Sequence, residues 1–518
     1  MARRSAHRPA RTARARRYAL RAAAVLGAGA LALVLIAVLV WRPTRLPRAE
    51  PFALAGTTVI NVSDGTRSAG TTVFVRGGRI AWIGPDAAAA LPPETRVLDA
   101  RGSYVLPGFW DMHVHGVLGG GQARINRNLL VAHGITGVRA MGTHLSPADV
   151  ARGMVEPSAD PSELGPRVVA SGRIVNGPES IVGFNLVAGA PEQGRAAVDS
   201  LADGGADLVK VYNLLPAAAY FAVLARAGER GLPVAGHVPF AVSAALAADS
   251  GHGSIEHLTG IALHCSSREA ELRDSLLAVF HTSRERRVRH ATVDRVEHEA
   301  HASYDGTKCG ALASRFVGSG TWQTPTLVQL RRSAGDYGRL ASADPRFNSM
   351  PRWAAVYRQR RAQEASWSPA DAARRRATFD AERRLDARMN AAGVRFLAGT
   401  DMPSLLVFPG SSLHEELALL VDAGLTPLQA LQAATINPAR LLGATDSLGT
   451  VTAGKVADLV VLDHDPLDDI ENTRAISAVV LRGRLLQRPA LDRLIEQTHR
   501  LAGRGRIVER MRQWVPFL

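Results

Sequence analysis

The sequence predicts an α/β protein: a (β/α)8 (TIM) barrel with a small composite β-sandwich domain built from both chain ends, preceded by an N-terminal transmembrane helix. Three observations predict it. Eight apolar strand-like runs alternate with helical stretches over residues 108–443, strand-and-turn texture flanks that region on both sides, and twenty uncharged residues stand near the chain start.

The elements follow in order. Residues 1–21 form a basic arm with arginines at 3, 4, 8, 11, 14, 16, 17 and 21. The uncharged run Ala22 to Trp41 follows, and at 1.5 Å per residue it reaches about 30 Å, one bilayer core. Eight arginines before it against three after it, at 42, 45 and 48, put the N-terminus in the cytoplasm and the catalytic portion across the membrane. Ala28-Gly29-Ala30 has the small-residue form of a cleavage site, and cleavage there would make the protein exported instead of single-pass. Residues 42–50 read as a Pro/Arg linker.

Residues 51–107 are the first part of the β-domain, with strands around Thr72 to Val75 and Arg79 to Gly84 punctuated by Asp64-Gly65 and Gly77-Gly78. Residues 444–490 repeat that texture in Ala457 to Leu462 and Ala478 to Gly483, and the two halves are expected to pair in space. Between them the barrel strands are expected at Leu106 to His115, Gly134 to Met141, Arg167 to Val175, Asp207 to Tyr212, Leu232 to Val238, Ser254 to Leu258, Trp322 to Val328 and Val394 to Asp401. Ser368-Pro369 and the capping box Thr426-Pro-Leu-Gln429 mark helix starts. Stretches 261–321 and 329–393 read as insertions into units six and seven, and 491–518 as a helical tail.

Composition narrows the function. With 518 residues, 46% hydrophobic and 21% charged, the chain buries a large core, and two cysteines exclude a disulfide scaffold. Of the net charge of +15, eleven charges lie in residues 1–49, leaving +4 for all the rest. The arginines flank an apolar run, so they read as topology signals and nucleic acid is not an expected partner. Lysine is nearly absent: Lys210, Lys308 and Lys455 are the only three among 62 basic residues. Arginine stays protonated, whereas a buried lysine can lose its proton and attack CO2, so chemistry is one reason to keep a lysine here.

In Phe109-Trp-Asp-Met-His-Val-His115 two histidines stand two apart at the end of an expected strand, so both imidazoles point to one face. Lys210, His237, His257 and Asp401 close four more strand runs. Each alone is compatible with a buried, hydrogen-bonded polar residue. Six ligand types converging on the C-terminal mouth of one barrel are better read as a metal site.

Further motifs accompany these positions: Leu106-Pro107-Gly108 before the histidine pair, Ala434-Thr435-Ile436-Asn437-Pro438-Ala439, and Gly449 to Leu462 with its Ala453-Gly454-Lys455-Val456-Ala457-Asp458 core. With them the sequence resembles the amidohydrolase superfamily of metal-dependent hydrolases from about 55 to 485. Val209-Lys210-Val211, placed between the histidine pair and the later histidines, is similar to the branch of prolidase-like and Xaa-Arg-type dipeptidases, near the imidazolonepropionase-like group. The resemblance implies a carbamate formed by CO2 on Lys210, bridging two divalent metal ions. It gives His113, His115 and Asp401 to one metal and His237 and His257 to the other, with Asp401 also the catalytic proton shuttle. Zinc suits an imidazole-rich site best, with Mn, Co or Fe as replacements.

The expected reaction is hydrolysis of a C–N amide bond in a dipeptide or N-acyl amino acid. The alternatives are a mononuclear or lactone-, ester- or cyclic-amide-cleaving relative, and a non-catalytic membrane-anchored binding protein. Tyr212, Asn213 and His414 are candidate substrate contacts, although the related dipeptidases usually have a small, Gly-rich segment after the lysine. His298-Glu-Ala-His301 falls one residue short of a zincin spacing and reads as a solvated helix face. Cys265 and Cys309 flank the unit-six insertion, where an extracytoplasmic chain would have them bonded. The expected partners are a small-molecule or short-peptide substrate and, through the N-terminal helix, a membrane; a homo-oligomer is compatible with the sequence.

Overall fold

The computed structural model describes residues 45–118, 121–143, 163–180, 185–334, 368–404 and 406–500, with positions 27, 29 and 346. The chain divides into Met1–Thr44 and Arg45–Leu518, and the second unit carries the fold. Among the described residues no helix is long and apolar enough to cross a membrane. That finding overturns the transmembrane helix expected over 22–41, and with it the membrane partner and the single-pass localisation. Of the run, only Gly27 and Gly29 are among the described residues; the arm 1–21 and tail positions 501–518 lie outside them. The physical reason is that an uncharged run fixes composition only, whereas a span needs one unbroken helix satisfying every backbone polar group.

The two chain ends build one eight-stranded sheet. Strand Phe52–Ile60 pairs antiparallel with Arg67–Arg76 and parallel with both Arg96–Asp99 and Tyr104–Pro107. Tyr104–Pro107 then pairs antiparallel with Leu459–Leu462, with Val105 opposite Val461; Ile476–Leu481 and Arg484–Gln487 extend that side, and Arg79–Pro85, antiparallel to Arg67–Arg76, ends the other. The period of two sorts each strand between two cores. Leu459, Val461, Val105 and Val480 join Phe52, Val73 and Ile80 in the sheet's own core. Val460, Leu462, Leu106 and Val479 join the barrel core, each buried side chain contributing about 1.5–3 kcal/mol. The Ala457 amide donates to the Gly78 carbonyl at 3.0 Å, so the sheet curls back on itself.

All eight barrel runs lie in the barrel wall. Phe109–Val114, Ile135–Ala140 and Arg167–Ala170 pair in parallel. Val209–Val211, Val234–Gly236, His252–Glu256 and Trp322–Thr324 form the second arc, with Lys210 opposite Ala235 and Ile255 opposite Gln323. The arcs join where the Asp207 amide donates to Ala170 O at 2.9 Å and Val211 pairs with Val175. The eighth run closes the ring through bridges from Phe396 to Gln323 and from Met402 to Val114, and the Asp401 amide donates to His113 O at 2.7 Å. Every position of the first two strands is buried, as expected of parallel strands covered on both faces.

The unit-six insertion folds as Glu269–Thr282, Arg286–Ala302 and Gly306–Ser319. Cys265 and Cys309 form a disulfide at its base, with Cα atoms 4.6 Å apart. Beside it Lys308 donates to Ser266 O at 2.8 Å and pairs with Glu269. Of the unit-seven insertion, Pro369–Ala391 is a 23-residue helix opened by the Ser368 cap, and it lies against Arg286–Ala302.

Gly236 sets how closely strands four and five approach: its φ is +139°, and a Cβ there would stand 2.1 Å from Val211 O. Gly236→Ala is therefore expected to cost about 1–3 kcal/mol in chemical denaturation. Gly228→Ala, on an exposed helical position with nothing within 4 Å, should be neutral or stabilising by up to about 1 kcal/mol.

Candidate metal centre

The sequence-expected ligands meet at the C-terminal mouth of the barrel, because parallel strands end together there. His113 and His115 leave the first strand on one face, with ring centroids 5.3 Å apart. The His113 ring lies 4.5 Å from that of His257, which lies 4.9 Å from that of His237. Asp401 Oδ1 is 3.0 Å from His115 Nε2 and 3.5 Å from His113 Nε2. One potential ligand atom each from His113, His257 and Asp401 falls within a 4.8 Å group. His257 and Asp401 adopt positive φ, +57° and +61°, as does Thr326 at +53°; left-handed backbone at three non-glycine strand ends is strain concentrated at the mouth.

Each imidazole is tied back through Nδ1. His113 Nδ1 meets Glu256 Oε2 at 2.7 Å, His115 Nδ1 meets Gly142 O at 3.3 Å, His257 Nδ1 meets Thr326 Oγ1 at 2.6 Å, and His237 Nδ1 bonds Asn213 Oδ1. A carboxylate, a carbonyl and an amide oxygen can only accept, so in three of the four rings Nδ1 carries the proton and Nε2 keeps its lone pair. Burial, with Lys210 nearby, holds His113 and His237 well below the usual imidazole range, and burial brings His257 down to about 4. These three rings are therefore neutral donors. Burial alone would raise Asp401, but the His115, His257 and Lys210 side chains around it hold its carboxyl below the ordinary value.

Lys210 sits among them, 1% exposed, with an Nζ that has no hydrogen-bond partner. Burial pulls its ammonium down to about 8, against the pull of Glu256 and Asp401. A partnerless buried amine costs several kcal/mol unless something completes it. The donor set thus fits divalent metal: neutral Nε2 atoms, one carboxylate, and an amine open to carboxylation. Lys308 and Lys455 differ, since both donate to carbonyls, Ser266 O and Leu448 O.

The candidate substrate contacts separate. Tyr212 stacks 4.0 Å from the His237 ring and lines the site, with burial pushing its phenol up to about 12. Asn213 orients His237 instead of facing open space. His414 is not brought to the mouth: it is buried at the opposite end, with Nδ1 3.0 Å from Thr473 Oγ1, Nε2 3.1 Å from His133 O and its ring edge-on to Phe109. Its helix starts after strand eight, but the side chain turns inward along the packed face.

Sequence reasoning missed the support beneath the ligands. Arg139, 2% exposed, donates to Met112 O, Ser254 Oγ and Glu256 Oε1 at 2.7 Å each and to Thr324 Oγ1 at 3.2 Å. Glu256, fully buried, thus bridges Arg139 and His113. Asp111 accepts from Thr400 Oγ1 at 2.6 Å and its amide at 3.0 Å, and burial raises its carboxyl to about 7. The available signal was a charge inside each apolar strand run.

Residues 104–486 match the model of the Amidohydrolase family. The chain belongs to that family. Bottromycin amidohydrolase superposes on this amidohydrolase with a TM-score of 0.70 and 25% identity, over 88% of this chain and 91% of its own. A Xaa-Pro dipeptidase with methionine bound in its active site gives a TM-score of 0.60 at 18% identity, over 84% and 100% of the chains; this is a likeness of fold. An adenine deaminase of Rubrobacter xylanophilus is 48% identical over 58 residues, 11% of this amidohydrolase. The match spans about a tenth of that relative's length, 10%.

Removing one member of the Arg139–Glu256 pair strands a buried charge. Arg139→Met is expected to cost about 3–5 kcal/mol in denaturation. Glu256→Gln should lower metal affinity about 10- to 100-fold by titration, because His113 loses its carboxylate acceptor.

Proposed function

We propose that this amidohydrolase is a metal-dependent enzyme that hydrolyses a C–N amide bond, with a dipeptide or N-acyl amino acid as substrate. The observation that carries the reading is the buried, partnerless Lys210 amine surrounded by imidazoles whose Nδ1 atoms are engaged elsewhere. The dipeptidase fold likeness supports the substrate class.

In this reading His113, His115 and Asp401 would hold one cation and His237 and His257 a second, with carboxylated Lys210 as a further ligand. When bound, such cations polarise the scissile carbonyl and bring the pKa of water near neutrality; zinc is the first choice for this donor set. Asp401, its carboxyl held below the ordinary value by the side chains around it, accepts the proton of the attacking water as the C–O bond forms. It then delivers that proton to the amine as the C–N bond breaks. Tyr212, at the edge of the site, excludes water on one side.

A second reading, a single-metal enzyme acting on a lactone, ester or cyclic amide, is favoured by one observation: the tightest ligand group holds only His113, His257 and Asp401.

Metal analysis separates the two readings: two equivalents are expected after reconstitution with zinc and bicarbonate, falling to one or none in Lys210→Ala. Carboxylation consumes the free amine, so at fixed dissolved CO2 reactivation should quicken as pH rises towards about 8, where burial places the Lys210 pKa, and level off above it. Mass-spectrometric product analysis against dipeptides, N-acyl amino acids and lactones should show cleavage of amides alone. Lactone cleavage alone with one metal would install the second reading.

A further inference from the structure

Helix Ser411–Asp422, which follows strand eight, turns two side chains of one short motif in different directions. His414 goes to the far end of the barrel, whereas Glu416, two residues on and about 200° round the helix, reaches the end of strand seven. Glu416 is wholly buried. Its Oε1 accepts from the Leu327 amide at 3.0 Å, and its Oε2 accepts from the Val328 amide at 2.7 Å. These are the first two amides of helix Leu327–Ser333, and the opening amides of a helix have no partner within it. A carboxyl group is costly to bury unless its oxygens are satisfied, and here both meet donors that would otherwise be orphans.

The residue just before that helix is Thr326, also wholly buried. A threonine in this position ordinarily turns its hydroxyl back to accept from the second or third amide of the helix. Thr326 does not: its φ is +53°, and its Oγ1 lies 2.6 Å from His257 Nδ1. The Val328 amide goes to Glu416 instead, and the Gln329 amide goes to the Thr326 carbonyl at 2.9 Å. Glu416 thus takes over the capping that Thr326 gives up, and the Thr326 hydroxyl is left for the imidazole. Left-handed backbone is strained for a β-branched residue, and the paired hydrogen bonds from Leu327 and Val328 to one carboxyl group hold the turn in place.

The neighbouring buried acids serve other contacts or none. Glu415 pairs with Arg331. Glu382, on helix Pro369–Ala391, lies through Oε1 2.8 Å from His301 Nε2. That contact corrects the solvated face expected for His298 to His301, because His301 is largely buried between the two insertion helices. Asp386 is wholly buried with neither oxygen hydrogen-bonded. Of these four acids, Glu416 is the one bonded to the turn that touches a site imidazole.

We propose that Glu416 is a positioning residue for the metal centre: by capping helix Leu327–Ser333 it fixes Thr326, and Thr326 fixes the ring of His257. The inference rests on the metal reading of the site and adds to it a residue from a helix that carries no ligand. Glu416 acts on the orientation of one imidazole, through one hydroxyl, and touches neither metal nor substrate.

The test uses the full chain, metal-free and then reconstituted with zinc or cobalt(II). In the metal-free wild type the Leu327 and Val328 amides should be protected from hydrogen exchange. Glu416→Gln, which keeps the shape but only one acceptor oxygen, should weaken zinc binding by about 10-fold and shift the cobalt(II) absorption bands. Thr326→Val should weaken zinc binding by about 10- to 100-fold, and Thr326→Ser, which keeps the hydroxyl, should restore it. Because Glu416 acts through Thr326, the double variant Glu416→Gln with Thr326→Val should bind zinc as Thr326→Val does, within about threefold. Glu416→Met, of similar volume, replaces Glu416→Gln if the latter does not fold. A lower melting temperature with unchanged zinc affinity and cobalt(II) spectrum would make Glu416 a structural cap only and overturn the proposal. Losses that multiply in the double variant, or free exchange of both amides in the wild type, would overturn it as well. A wild-type chain that binds no zinc would overturn the metal reading itself, and the positioning role with it.

Discussion

The barrel mouth depends on one buried ion pair. Glu256 is wholly buried and Arg139 nearly so, and neither charge is tolerable there without the other. The Arg139 fork touches atoms of strands one, six and seven while rooted in strand two, so one guanidinium fixes half the barrel at the height of the ligands. Glu256 then passes that order to His113 through Nδ1. Position, tautomer and ring orientation of a ligand all follow from a carboxylate that touches no solvent.

The same logic recurs with different partners. Gly142 O, Asn213 and Thr326 hold the other three rings, so no single loop governs the geometry. The rings are held by protein groups, and the partnerless Lys210 amine is the atom left unsatisfied by that organisation. Pre-ordered ligands reduce the reorganisation that metal binding demands.

Much of this was legible in the sequence, and the parts that were not share a cause. The eight runs of the barrel and the ligands at their ends could be read because strand period and strand end are local properties. Asp111, Arg139 and Glu256 could not, because a charge in an apolar run reveals its partner only once strands far apart in sequence are side by side. His414 went astray for a related reason: being near the mouth in sequence does not decide which way a packed helix turns its side chain. The uncharged run at 22–41 misled because composition alone does not make a helix that spans.

The division of labour between barrel and insertions gives the molecule two sources of variation. Barrel residues carry ligands and their supports, and a change there disturbs the chemistry. Helices Arg286–Ala302 and Pro369–Ala391 of the two insertions face one another outside the barrel wall, and the disulfide at Cys265 and Cys309 secures the base of one insertion.

The sheet shared by the chain ends has a consequence for how the protein is made. Val105 meets Val461 across about 350 intervening residues, so at ordinary elongation rates strand Tyr104–Pro107 waits roughly 20–70 s for its neighbour. Throughout that interval it presents an apolar edge open to wrong pairing. Biogenesis, more than the finished structure, is therefore where this architecture is exposed, and a chaperone acting on the nascent chain would shield the first hundred residues until the last strands emerge.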